Sequence, residues 1–160
     1  MDVDERQTPG EPADCYVERV ATLKADAAVA KFPGRVVVAA DTGVVVDGEV
    51  FGKPADAADA ARMLRRLSGR SHEVLTALAV VGHRRTTCVE STRVWVDALS
   101  AEDIAWYVSS GEPVDKAGAY AIQGLASRFI PRIEGSYSNV VGLPIATFAR
   151  LLARATAVHP

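Results

Sequence analysis

Three features of this 160-residue chain point to a mixed α and β domain. Apolar runs of strand length alternate with segments in which apolar residues recur every three or four positions. Tight polar turns join some of the strands directly, whereas helix-like segments separate others, so hairpins and crossovers coexist. Hydrophobic residues make up 49% and charged residues 24%, and a chain of this length and balance buries enough surface for one core. The expectation is a single domain over residues 1–155 followed by a short tail at 156–160.

Taken in order, the opening through Pro12 is polar and carries Pro9-Gly10, which reads as a loop. Val17, Val20, Ala21, Leu23, Ala27 and Ala28 then recur at helical spacing, with Asp14 as the expected N-cap and Pro33-Gly34 as the stop. Val36 to Ala40 is apolar on both faces, as expected of a buried central strand. Val44-Val45-Val46, Asp47-Gly48 and Glu49-Val50-Phe51 make a hairpin, because Asp-Gly accepts the positive φ angles of a type I′ turn. A helix over about 56–67 places Ala60, Met63, Leu64 and Leu67 on one face and ends at Ser68-Gly69. Strands over 73–81 and 86–96 follow, joined by the polar tip at 82–85. Ser100 and Asp103 have the spacing of a capping box and open a helix that Gly111 closes. The stretch 112–124 is rich in Gly and Ala and reads as irregular, 129–133 as an edge strand because it holds a proline, and Pro144 as the first turn of a last helix.

Composition excludes several classes of function. The net charge of −2 gives no general attraction to nucleic acid or to an anionic membrane. No apolar run approaches the roughly 20 residues needed to span a bilayer. The acidic opening Met1-Asp2-Val3-Asp4-Glu5 is unlike a signal peptide, which makes the cytoplasm the default compartment. Cys15 and Cys88 are too few for a disulfide framework and read as packing residues, and His72, His83 and His159 lack the spacing of a metal site. His72 reads as the anchor of a turn.

Chemistry concentrates in a few segments. Asp41, in Ala40-Asp41-Thr42-Gly43, is read at the C-terminal end of an apolar strand, where open sheets bind ligands; a turn-forming Asp is the equally weighted alternative. Gly52-Lys53-Pro54 holds an ammonium between two backbone punctuators just ahead of a helix, a setting for phosphate as well as for a solvated loop lysine. Asp115-Lys116-Ala117-Gly118 leads into Tyr120-Ala121-Ile122-Gln123-Gly124, joining a cation for an anion to an amide for a base edge. Ser136, Ser138 and Asn139 precede a helix start, where capping alone accounts for hydroxyls.

Together these motifs resemble the Maf family, nucleoside triphosphate pyrophosphatases related to septum-formation inhibitors. The resemblance runs from Asp2 to about Leu152. It is carried by Asp4-Glu5, Lys24-Ala25, Ala40-Asp41-Thr42, Gly52-Lys53-Pro54, Met63-Leu64 through Ser68-Gly69 to His72, Val74 and Thr76, Asp115-Lys116-Ala117-Gly118, and Gly142-Leu143-Pro144. It implies a Maf/ITPase-like α/β fold: an elongated mixed sheet flanked by helices, two lobes, and a nucleotide cleft between them. It also implies hydrolysis of a nucleoside triphosphate between the α- and β-phosphates. Asp41, Lys53 and Lys24 would be catalytic, Lys116, Gln123, Thr42 and Ser136 would bind substrate, and Glu5 with Asp41 would hold Mg²⁺ or Mn²⁺. Three of only four lysines fall in these motifs, in a chain with 14 arginines. The wording around Gln123 and Ser136-Tyr137-Ser138 is similar to the branch acting on dTTP and UTP rather than on 7-methyl-GTP, which remains the alternative together with a non-catalytic nucleotide-binding regulator. A homodimer is the assembly the resemblance implies, with no nucleic-acid or membrane partner. The family also carries a strand and a Ser-x-Ser-Pro-Arg-Arg loop ahead of Asp4-Glu5 that this sequence does not contain. A chain with that segment restored is expected to be more stable and more active.

Overall fold

The computed structural model describes residues 3–157. Helix α1 (Ala13–Lys31) precedes strand β1 (Val37–Val46), β2 (Glu49–Phe51), α2 (Ala57–Leu67), β3 (Ser71–Val81), β4 (Arg85–Trp95), α3 (Ala101–Ser109), β5 (Arg132–Glu134), α4 (Tyr137–Val141) and α5 (Ile145–Thr156). Three short 3₁₀ turns fill the stretch between α3 and β5, at 112–115, 117–119 and 125–129. The five strands form one sheet in the order β2-β1-β3-β4-β5, and every pairing among the described residues is antiparallel. The α/β class is as expected. The resemblance implied strands running in both senses, whereas the described ones alternate strictly.

β3 is the central strand. It pairs with β1 on one side and β4 on the other, and Val74 through Val80 are buried without a break. That run, rather than Val36 to Ala40, shows the two-sided apolar signature of a strand covered on both faces. Val36 and Val38 are 50% and 40% exposed, because β2 pairs only with Val44–Val46 and leaves 37–43 at the margin of the sheet. β1 also runs unbroken through Asp41-Thr42-Gly43, pairing these residues with Ala77, Thr76 and Leu75. The strand end expected at these residues therefore falls inside β1. Gly43 is compatible with the strand because an added Cβ would press on Val17 and Val50, so glycine here admits α1 close to the sheet.

Side chains alternate across the sheet and define its two faces. Val37, Leu75, Ala77 and Ala79 pack against Val17, Ala21, Ala25 and Ala28 of α1, whose small residues let helix and sheet approach closely. On the other face Val44, Val46, Phe51, Val74 and Val94 pack with α2, α3 and the 3₁₀ turns, while Leu78 and Val80 meet α5. Local signals fix several boundaries. Asp47 and Gly48 have φ of 53° and 80°, as a type I′ hairpin requires. The Asp56 side chain caps α2 by accepting from the Asp59 N–H at 2.8 Å, and Ser100 with Asp103 completes the capping box of α3. Asp14 is not a cap: α1 begins one residue earlier, after Pro12, and no side chain caps it. α4 is a one-turn helix where the sequence suggested only capping residues, and the proline assigned to β5 falls just before it. Cys15 is exposed and not a packing residue, whereas Cys88 is half-buried; both are free.

Candidate active site

Adjacent residues of β1 build two halves of one site. Asp41 faces α1. Its Oδ1 accepts a hydrogen bond from Lys24 Nζ at 2.7 Å, and the same ammonium lies 3.0 Å from Glu5 Oε1. Asp41 is 9% exposed, and this burial lifts its carboxyl above the usual carboxylate range, with the hydrogen bond and charge of Lys24 opposing the rise. For Lys24 burial acts downward, but its hydrogen bonds to Asp41 and Glu5 outweigh it, and the ammonium is held charged.

Thr42 faces the opposite side and lines a cavity of about 190 Å³ together with Val44, Val74, Lys116, Tyr120 and Gln123. Thr42, Gln123, Lys116 and Asp115 bring polar groups to an otherwise apolar lining, the general character of a small-molecule site. Lys116 also bonds Asp115 Oδ1 at 2.8 Å at the rim. Lys53 is brought alongside by the backbone, since Gly118 N–H donates to Gly52 C=O at 3.0 Å. The carboxyl of Asp115 is held below its usual range by Lys116 first, with Lys53 contributing its charge. Gly118 has φ of 68°, and a Cβ there would lie 2.7–2.9 Å from the Val44 side chain, so glycine is required for this loop to seat on the sheet. Ala119 follows at φ of 62°, a conformation that disfavours a non-glycine residue and that its complete burial enforces.

The margin position of β1 is what connects the halves. Among the described residues no strand pairs with 37–43 on the outer side, so the Thr42 face and the Asp41 face meet at that margin. Seven of the eight residues singled out from sequence therefore group as Glu5, Lys24 and Asp41 on one side and Thr42, Lys53, Lys116 and Gln123 on the other. Ser136 is placed differently. Its hydroxyl accepts from Asn139 N–H at 3.2 Å and meets Ser138 Oγ at 3.0 Å, capping α4, whose Val140 and Val141 line the cavity.

Other contributors escaped the sequence reading. Tyr107 and Glu112 clamp the Gln123 loop: Tyr107 O–H donates to Glu112 at 2.7 Å, Ala121 N–H donates to Tyr107 Oη at 3.1 Å, and Glu112 accepts from Leu125 N–H at 3.0 Å. Gly124 leaves space for that carboxylate, which an added Cβ would meet at 2.2–2.5 Å. Thr76 sits fully buried behind Thr42, and Asn139 behind Thr76. The alternation His72, Val74, Thr76 was the available signal, since it puts all three on the cavity face of β3. His72 is a buried strand residue bonding Tyr120 Oη at 2.8 Å, not a turn anchor.

Glu5 and Asp41 offer carboxylate oxygens around a point already holding a cationic group, a donor chemistry that suits a hard divalent ion completed by water and phosphate. No grouping of three or more His, Cys, Asp or Glu among the described residues would hold an ion unaided.

Fold and site define an α/β ligand-binding domain whose cleft sets a carboxylate–lysine cluster against a lined pocket across one strand. The chain belongs to the family described as Maf-like protein, whose model matches residues 1–155. It is similar to the dTTP/UTP pyrophosphatase of Myxococcus xanthus (strain DK1622), 50% identical over 154 residues that cover 96% of this chain and 79% of the relative. The dTTP/UTP pyrophosphatase of Anaeromyxobacter dehalogenans (strain 2CP-C) is 55% identical over 159 residues, covering 96% and 80%. That of Koribacter versatilis (strain Ellin345) is 52% identical over 154 residues, again covering 96% and 80%.

Proposed function

We propose that this chain, acting as one domain over residues 1–155, hydrolyses nucleoside triphosphates to a nucleoside monophosphate and pyrophosphate, with dTTP and UTP as substrates. The observation that carries the reading is the pairing of Asp41 and Thr42 on adjacent, oppositely facing positions of β1, one in a lysine–carboxylate cluster and one in a lined pocket. The base and sugar occupy the pocket, where Val44, Val74 and Tyr120 give apolar contact and Gln123 offers both a donor and an acceptor. The phosphates cross the margin of β1. Lys53 and Lys116 approach from the pocket side and Lys24 from the other, and their charges offset the repulsion that keeps a water from phosphorus. Asp41, made more basic by burial, accepts a proton from that water as its oxygen bonds to phosphorus and the α–β bridging bond breaks. Glu5 and Asp41 would hold Mg²⁺ or Mn²⁺, which supplies positive charge to the phosphates when bound. Ser136 acts at one remove, by fixing α4. The cytoplasm is the proposed compartment and a homodimer the proposed assembly; among the described residues no helix is long and apolar enough to cross a membrane.

The test is pyrophosphate release from dTTP, UTP and 7-methyl-GTP with Mg²⁺ or Mn²⁺, for the native chain and Asp41→Asn. Removing the base is expected to lower kcat by about 10²–10⁴-fold. Undiminished turnover by Asp41→Asn overturns the assignment of the base, and tight nucleotide binding without turnover by the native chain favours a regulator.

A further inference from the structure

We propose that a buried relay of hydroxyls makes the pocket select a base edge that donates a proton, the imide N–H of uracil or thymine, over one that accepts there, as cytosine does. The inference rests on the reading of the Thr42–Gln123 cavity as the base site.

The relay has three members. Thr76 Oγ1, fully buried on β3, lies 3.1 Å from the Asn139 main-chain oxygen and 2.9 Å from Thr42 Oγ1. A carbonyl oxygen only accepts, so the contact with Asn139 uses the single hydroxyl proton of Thr76. Thr42 then has to donate to Thr76 if both contacts are to be hydrogen bonds. The reverse order gives up the bond to Asn139 in a place water does not reach, which makes it the disfavoured arrangement. The far end of the relay is fixed. Asn139 is fully buried, its side-chain amide donates to Val74 C=O at 3.1 Å and Thr92 Oγ1 at 2.9 Å, and its main-chain oxygen also accepts from Gly142 N–H at 2.9 Å. None of these can turn to supply a proton to Thr76.

Thr42 therefore meets the cavity with its proton already committed and its lone pairs free. Gly142 borders that hydroxyl: an added Cβ would sit 3.5 Å from it, in van der Waals contact, so glycine keeps that side of the hydroxyl clear. Gln123 lines the same cavity, but an amide satisfies either kind of edge by turning over and so does not discriminate by itself. Uracil and thymine bring a donor at ring position 3, and cytosine brings an acceptor. With ring position 3 set opposite Thr42, as the proposal requires, the first makes a hydrogen bond and the second sets two acceptors face to face.

The experiment compares kcat/KM for UTP and CTP in the native chain, Thr76→Val, Thr76→Ser and Thr42→Val. The native chain is expected to favour UTP by about tenfold or more, the worth of one hydrogen bond. Thr76→Val takes away the acceptor for the Thr42 proton, lets Thr42 donate, and should shrink the preference about tenfold, mainly through faster use of CTP. Thr76→Ser should restore it. Thr42→Val should abolish the preference, and it serves where Thr76→Val melts far below the native chain. An unchanged UTP-to-CTP ratio in a folded Thr76→Val or Thr42→Val overturns the relay. Calorimetry with UMP and CMP reads the same ratio without turnover. If that ratio follows the variants while no pyrophosphate is released, hydrolysis is wrong and the relay is right; equal affinities for UMP and CMP in the native chain refute the relay.

Discussion

His72 sits on β3 with its ring buried against Tyr120, and burial, followed by the nearby positive charge of Arg70, lowers its pKa to about 4. The unfolded chain takes up a proton there near pH 6.5, so the folded state loses stability as pH falls from about 6.5 toward 4 and loses no more from this group below that. The loss amounts to at most about 3 kcal/mol. Urea unfolding of the native chain and His72→Gln across this window should show the steeper pH dependence in the native chain. Equal slopes would mean that the ring is not sealed. Single residues were also where sequence was most informative. Asp41, Lys24 and Glu5 are marked by motif, and the fold sets both carboxylates within 3.0 Å of the single Lys24 ammonium. Thr76, which enters only within a motif, and Asn139, read only as a capping residue, are not picked out as site residues because their polarity works inward. A threonine in an apolar strand reads as a tolerated β-branched residue until its partner from 63 positions away is known.

Element boundaries were legible wherever a local chemical device sets them. Asp47-Gly48, the Ser100–Asp103 box and the Ser68-Gly69 stop all act within a few residues, and all three occur in the structure. Sequence alone ends a strand in the middle of β1 because Asp-Thr-Gly carries turn propensity that pairing with Ala77, Thr76 and Leu75 overrides. The stretch after α3 was read as irregular, and its order depends on non-local bonds. Glu112 holds Leu125 N–H and is held by Tyr107, which in turn takes Ala121 N–H, so both ends of the Gln123 loop hang on one carboxylate. Glu112→Ala should destabilise the fold by about 1–3 kcal/mol and raise KM more than it lowers kcat. An unaltered KM would show that the loop keeps its shape without the clamp.

At the scale of the molecule, the arrangement of one sheet with α1 on one face and the other helices opposite was legible as a class but not as a topology. Apolar content says that Val36–Ala40 belongs to a sheet; only the register shows that β2 stops at Val44. The same margin beside Asp41 and Thr42 has a colloidal consequence. Among the described residues no strand pairs with Val37 to Gly43 on the outer side, and Val36 and Val38 are exposed there, which makes this an edge to which another extended chain can add. Val38→Lys should suppress the growth of light scattering in concentrated samples while moving stability by no more than about 0.5 kcal/mol. Scattering that grows just as fast in Val38→Lys would place the sticky surface elsewhere.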